Sequence, residues 1–567
     1  MSRLWKIKEC DEPLAEEFFQ TLENVPRPLA ALLAQRGCRT AEDAELFMNP
    51  ALSTLRDPFE LPDMEVAAGR VFRALRDGER ITVFGDYDVD GVCSTALTVR
   101  VLRELGGTVS AYIPSRLEDG YGLSPEALSA CVVANSPSLI VTVDCGTNSV
   151  DAVRLARTKG IDVVITDHHE PDELLAPAVA VVNPKRVDGH PARILAGVGM
   201  AFKLCHAVVK TGRDHGCAAS SAIDLRRYLD FVAVATVTDM VPLLGENRAL
   251  VRAGFQTLEN SCWPGWNALK KLAGITGSVE TWHAGFALGP RINAAGRVGR
   301  ADAALDLLLT DLPERADELA QLLDSSNRER QAIEKDIVRE AIEEIDAYFD
   351  ESKHYGLVIA REGWHPGVVG IVASRLVARY GRPVAVVCMD GESGRGSCRS
   401  IEGFNVLDAL SICADVLKQF GGHAMAAGLE VEACHLDEFK TRFNTAAGIQ
   451  LKGTDLCPVL EIDREVSLDE ADEKLMDGLR RAGPFGQDNP EPVWVVFGVH
   501  ASDTRILKEK HLKLTLTDGK TWRDAIGFNL AEKLPDGPVD VAFTLHENVW
   551  NGRTTLQYNL RDIRPAQ

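Results

Sequence analysis

The chain has 567 residues, 45% hydrophobic and 26% charged, which is the composition of a folded protein and too much sequence for one core, so about three or four domains are expected. Its formal net charge of -21 argues against a surface that binds nucleic acid non-specifically, while leaving room for one local basic track beside a carboxylate-rich phosphodiesterase centre. There is no run of about 18 apolar residues and no apolar core for a signal peptide near the start, and the 13 cysteines are scattered without a C-x-x-C pair, so the expectation is a cytoplasmic monomer, without membrane spans, disulfides or structural zinc.

Residues 1–50 read as a helical extension. L-A-E-E-F-F-Q-T-L and A-A-L-L-A-Q-R-G suggest short helices, and no chemistry is assigned to them. From about 66 to 245 the pattern alternates. Strands are predicted over Ile81–Phe84, Val109–Ile113, Leu139–Val143 and Val163–Thr166, with helices such as Ser94–Glu104, Ser124–Val133 and Ser149–Lys159 between them. That alternation predicts an α/β fold with a doubly wound parallel sheet, whose ligands sit beyond the carboxyl ends of the strands.

Acidic motifs fall at those ends. Asp86, Asp88 and Asp90 follow the first strand in F-G-D-Y-D-V-D-G. Asp144 follows the third in V-T-V-D-C-G-T, and Asp167, His168 and His169 follow the fourth in V-I-T-D-H-H-E. Asp239, in A-T-V-T-D-M-V-P-L, ends a helical run from about Leu225. Carboxylates gathered at one sheet edge repel one another, and divalent cations bound by hard oxygen ligands relieve that repulsion. An acidic helix cap would explain one Asp, but three in five residues favour a metal site. Oxygen ligands with an imidazole suit manganese or magnesium.

Together D-Y-D-V-D-G, V-D-C-G, T-D-H-H-E and T-D-M resemble the DHH phosphoesterase superfamily. The resemblance implies two Mn²⁺ or Mg²⁺ ions held by Asp86, Asp88, Asp90, Asp144, His168 and Asp239. Asp167 and His169 would then support the ligands or face the substrate, so that Asp167, His168 and His169 form the catalytic motif. Which of the first three Asp residues touches which ion stays open.

Beyond Asp239, Gly289–Arg300 reads as a loop carrying Arg291 and Arg297 as candidate substrate contacts. Leu312–Phe349 reads as one or two long linking helices between two domains, with Asn327 and Arg328 either facing the cleft between them or, in the preferred reading, on a solvated face. A second α/β unit is expected from Tyr355. It carries two glycine-rich loops, G-R-G-S-C-R-S and G-G-H-A-M-A-A-G, separated by a helix Val406–Phe420. Glycine-rich backbone beside Ser and Arg suits a phosphate pocket. These loops resemble the DHH-associated substrate-binding domain, DHHA1, which implies a 5′-phosphate pocket at Arg116, Ser397 and Arg399, with His423 near the scissile phosphate. Tyr121 could stack on a base.

From about 455, six short strands are predicted: Val493–Val499, Thr504–Leu507, Leu512–Leu516, Asp524–Phe528, Val539–Leu545 and Leu556–Leu560, with a hairpin turn at Asn551–Arg553. They read as an OB-like barrel bearing Arg505, Lys508, Lys510, Lys513, Trp522 and Trp550. Cations among aromatics on a barrel hold single strands. The expected division is 1–50, a DHH domain over 51–305, linking helices over 306–350, DHHA1 over 351–454 and the barrel over 455–567. This order resembles the single-strand-specific exonucleases of the superfamily. It implies 5′-to-3′ degradation of single-stranded DNA in recombination and repair, alongside single-strand-binding protein and a helicase. A hydrolase of small substrates, such as pyrophosphate, oligoribonucleotides or cyclic dinucleotides, and a non-catalytic strand binder are the rival readings.

Overall fold

Strands made of apolar, β-branched residues bury both faces, and helices must then cover them. The computed structural model describes residues 3–115, 122–298, 301–531, 534–550 and 553–566. It forms two compact units, one of Trp5–Ile292, Ala301–Ala320 and Leu460–Gln567, the other chiefly of Asn293–Arg300 and Gln321–Val459.

In the first unit, five parallel strands run in the order Thr108–Tyr112, Arg80–Phe84, Leu139–Val143, Asp162–Thr166, Ala180–Val182. The winding reverses after Arg80–Phe84, whose neighbours are the second and third strands in sequence. A crevice therefore opens beyond that strand's carboxyl end, where Asp86, Asp88 and Asp90 lie. Helices Val89–Glu104, Gly197–Asp214 and Leu229–Thr238 are buried along most of their length.

The same unit holds a closed barrel. Trp494–Leu507 pairs with both His511–Thr517 and Val539–Trp550, and Trp522–Gly527 joins His511–Thr517 to Arg553–Pro565. The two strands predicted over Val493–Leu507 are one, because register shifts between Val496 and Val499 and between Ser502 and Arg505 bend it without ending it. Such bulges interrupt the alternation that a sequence reading relies on. Asn551, in the predicted hairpin turn, and the side chain of Trp550 lie outside the described residues.

Helices Glu12–Thr21, Arg27–Gln35 and Ala41–Met48 share the barrel's core. Phe18, Leu29, Leu33 and Met48 cluster with Val466, Leu475, Leu479, Trp494, Phe543 and Tyr558. The rings of Phe543 and Tyr558 stack at 4.1 Å, and the Tyr558 hydroxyl donates to the Ala471 carbonyl at 2.8 Å. The N-terminal helices are thus packed into the barrel's core.

The second unit is a mixed sheet in the order Gln419–His423, Ala426–Glu432, Ser393–Arg399, Val384–Asp390, Leu357–Glu362. Four expectations are corrected here. Gly394–Ser400 is not a loop; Ser393–Arg399 is a strand paired on both sides, which glycine's low strand propensity concealed. The helix after it ends at Ile412, and G-G-H closes the strand Gln419–His423. Gly289–Val298 is a helix, with Pro290 in its first turn. Leu312–Phe349 holds one helix, Pro313–Asp346, whose Ile337, Ala341 and Ile345 join a core with Val372 and Leu376. Asn327 is buried and accepts from Arg330, against the solvated reading, whereas Arg328 is exposed and pairs with Asp324. Among the described residues no helix is long and apolar enough to cross a membrane.

Leu29 is fully buried between the N-terminal helices and the barrel module. Leu29→Ala should cost about 2–5 kcal/mol, read as a lowered urea midpoint by circular dichroism. An unchanged midpoint would mean that the N-terminal helices contribute nothing to this core.

Candidate metal centre

Four segments deliver the acidic side chains. Asp88 caps helix Val89–Glu104, its Oδ1 accepting from the N–H groups of Asp90 and Gly91 at 2.9 and 3.1 Å. That turn presses on the strand end: a Cβ at Gly91 would lie 2.4 Å from the Asp86 carbonyl oxygen. Asp144 sits at the end of Leu139–Val143 with φ +62°, a strained backbone for a residue with a side chain and one common at functional sites. Asp239 caps the carboxyl end of Leu229–Thr238.

These groups converge on His168. Its Nε2 lies 3.2 Å from Asp144 Oδ1, 3.7 Å from Asp239 Oδ2 and 3.9 Å from Asp90 Oδ2. Asp86, Asp88 and Asp144 offer a second cluster of ligand atoms, all within 4.8 Å of one another. Asp144 Oδ1, Asp239 Oδ2 and His168 Nε2 are buried and accept or donate no hydrogen bond among the described residues. Buried polar atoms are normally satisfied, so three of them aimed at one point fit a bound cation.

The electrostatics agree. Burial, then repulsion from neighbouring carboxylates, raises the pKa of Asp144 well above the carboxylate range and that of Asp239 to about 9. Burial and Asp88 raise Asp90 to about 7, opposed by the N–H groups of Val198 and Gly197. Burial and the neighbouring His169 push His168 down to about 3, so its ring is neutral. The Leu195 backbone is the partner of the ring's other edge, which leaves Nε2 as the lone-pair donor.

A supporting layer surrounds this core. Asp167 Oδ1 accepts from His168 N at 2.7 Å and His169 Nδ1 at 2.8 Å, while Oδ2 accepts from Thr147 N at 2.9 Å. Burial would raise the Asp167 pKa, but the bond to His169 and that residue's charge outweigh it and lower the net value. His169 is partly exposed; burial alone would discharge it, yet Asp167 raises its pKa. Sequence reasoning missed Asn183, which donates to Thr147 Oγ1 and the His169 carbonyl at 3.0 and 2.8 Å. Its signal was a polar residue at the end of the fifth strand. Also missed were Gly197 and Val198, whose N–H groups donate to Asp90 at 2.7 and 2.8 Å. A Cβ at Gly197 would lie 2.4 Å from Asp144 Oδ1.

The other candidates are spread over the two units. Arg116 and Tyr121 lie outside the described residues. In the second unit, Arg399 donates to Ser397 Oγ at 2.8 Å, and both face Gly370 in the first turn of helix Val369–Tyr380. Arg297 donates to the Gly367 carbonyl at 3.1 Å just before that helix. His423 is exposed at its strand's end. Arg291 lies in the first unit and donates to the Ala287 carbonyl. On the barrel, Arg505 and Lys513 are cross-strand neighbours, and Lys508 and Lys510 flank the same exposed hairpin. Trp522 is exposed but sits apart from them, in a groove lined by Glu473, Asp477, Arg480, Arg523 and Glu547.

Three family models match the chain: the DHH family N-terminal domain over residues 80–236, the DHHA1 domain over 353–448 and the RecJ OB domain over 462–562. The single-stranded-DNA-specific exonuclease RecJ of Escherichia coli is 38% identical over 95% of this chain and 96% of its own length. The chain belongs to the RecJ family. RecJ of Bacillus subtilis is 37% identical over 99% of this chain and 71% of its own. A crystal structure of RecJ from Thermus thermophilus in complex with Mn²⁺ covers the whole chain and 80% of its own, with a TM-score of 0.85 and 30% identity.

A cation entering this cluster competes with the proton on Asp239, whose pKa burial and then Asp90 and Asp88 raise to about 9. Mn²⁺ binding to the metal-stripped protein should therefore release protons at pH 7, and affinity should rise from pH 6 to pH 9. Calorimetry in two buffers of different ionisation enthalpy reads this directly. Equal heats in both, with a pH-independent Kd, would mean that the carboxylates were already ionised.

Proposed function

We propose that this protein is a divalent-cation-dependent exonuclease that degrades single-stranded DNA from the 5′ end in recombination and repair. The observation that carries it is the buried His168 Nε2 facing Asp144, Asp239 and Asp90 with no hydrogen bond among them. Asp90, His168 and Asp239 would hold one cation, Asp86 and Asp88 the other, and Asp144 would serve both. Mn²⁺ or Mg²⁺ bound there would supply Lewis-acid polarisation of the phosphodiester and activation of water.

The chain's own groups do the rest. Neutral His168 offers a lone pair rather than a competing proton. Asp167 orients the partly exposed His169 and raises its pKa, which suits the ring to an anionic phosphate or to giving a proton to the leaving oxygen. Direction must come from how the strand end is held. Ser397 supplies a hydroxyl and Arg399 a planar fork of donors, both beside Gly370 at the start of helix Val369–Tyr380; together they suit a terminal phosphate. Arg505, Lys508, Lys510 and Lys513 give the barrel a compact basic hairpin despite the net charge of -21, and a small-substrate hydrolase has no use for it. Single-strand-binding protein and a helicase are the partners this role implies.

Two substitutions test the reading. Asp144→Ala should abolish cleavage of a 5′-labelled single strand at every Mn²⁺ concentration, with the fold retained by circular dichroism; near-normal turnover would overturn the shared-carboxylate assignment. Arg399→Lys keeps the charge but loses the fork. It should cost about 1.5–3 kcal/mol of transition-state stabilisation on 5′-phosphorylated strands and narrow their advantage over 5′-hydroxyl strands in a parallel time course. Digestion from the 3′ end, or equal wild-type rates on the two 5′ ends, would remove Ser397 and Arg399 from the mechanism.

A further inference from the structure

Helix Gly245–Glu259 lies beyond the metal cluster, and its first turn carries two buried polar side chains for which the mechanism above has no use. Asn247 donates through Nδ2 to the Ile194 carbonyl at 2.6 Å and the Pro242 carbonyl at 2.9 Å. Those two carbonyls belong to the segments that build the site. Ile194 precedes Leu195, the partner of His168, and Gly197 and Val198, the donors to Asp90. Pro242 lies three residues after Asp239, past a turn in which Met240 has φ +59°. One amide therefore fixes the spacing between the segment behind His168 and Asp90 and the segment behind Asp239.

Arg248 ties this arrangement to the loop that leads into the barrel. Its Nη2 donates to the carbonyls of Phe47, Ala482 and Gly483 at 2.8, 2.9 and 2.9 Å, and the guanidinium lies 3.7 Å over the Phe47 ring. Burial, then Arg252, lowers its pKa to about 10, so it stays charged at neutral pH. Among the described residues no carboxylate pairs with it; carbonyl dipoles and the face of the Phe47 ring compensate the charge. The same loop meets Leu243 directly. Leu243 N donates to the Gln487 carbonyl at 2.9 Å, and a Cβ on Gly486 would lie 2.7 Å from Leu243 Cδ1.

We propose that Asn247 and Arg248 are positioning residues for the cation site of Asp90, His168 and Asp239, and that Arg248 and Leu243 make its affinity depend on the loop 482–489 ahead of the barrel. This rests on the metal-site reading given above. Groups that orient ligands from behind typically change metal affinity by about 10–100-fold when removed.

The test is a Mn²⁺ titration of the metal-stripped full-length protein without DNA, free Mn²⁺ being read by its electron paramagnetic resonance signal. Arg248→Met should weaken Mn²⁺ binding by about 10-fold or more, with Arg248→Lys in between. Leu29→Ala, which destabilises the same module away from this network, should bind as wild type; equal weakening there would reduce Arg248 to a merely structural role and overturn the proposal. Wild-type affinity in a folded Arg248→Met would also overturn it. Should Arg248→Met not fold, Gly486→Ala decides, since its added methyl displaces Leu243 from the barrel side: about 10-fold weaker binding supports the coupling, and unchanged binding overturns it. Asp144→Ala separates the two levels. Mn²⁺ binding that survives Asp144→Ala sinks the metal-site reading and this inference with it. Loss in Asp144→Ala beside full affinity in Arg248→Met sinks only the inference.

Discussion

The repulsion among buried carboxylates around His168 is the constraint on which the rest of the first unit depends. Asp90, Asp144 and Asp239 are each held where burial and neighbouring charge favour their neutral forms. No single element could impose that crowding. It takes a strand end, a capped helix start, a helix carboxyl end and a histidine from the next strand, each anchored by apolar packing. The parallel sheet supplies the anchorage, because its strands are buried on both faces and cannot shift to relieve the strain.

The polar groups around the cluster divide by function. Backbone N–H groups of Gly197 and Val198 favour ionised Asp90, and those of Thr147, His168 and His169 do the same for Asp167. Asp144 and Asp239 are left without that help at one oxygen each. The chain thus stabilises the charge of its supporting carboxylate fully and that of its candidate ligands only partly, which leaves the latter dependent on a cation.

The strand-end acids were legible in the sequence because two periodicities meet there: short β-branched runs stop, and charged residues begin. The parallel order of the strands followed from the same alternation. What stayed hidden had physical causes. Ser393–Arg399 alternates glycine with polar residues, a composition that normally marks loops, yet it forms a strand because partners on both sides hold it. Trp494–Leu507 looked like two strands because bulges break the alternation. Asn247 and Arg248 gave no signal, since a polar pair at a helix start reads as solvent-facing until tertiary packing buries it. The association of residues 1–50 with the barrel was invisible for a related reason: apolar helix faces state that they need a partner, but not which one.

That shared core has a consequence for synthesis. Phe18, Leu29 and Met48 leave the ribosome long before Val466, Trp494 and Phe543, with which they cluster. At about 5–20 residues per second, the interval is roughly twenty seconds to a minute and a half. Throughout it the nascent amino terminus carries an apolar surface whose partner does not yet exist. The parallel sheet can complete itself within that time, since all its strands lie between Arg80 and Val182. The N-terminal helices can therefore close on the barrel only after Phe543 has emerged, well after the parallel sheet is complete.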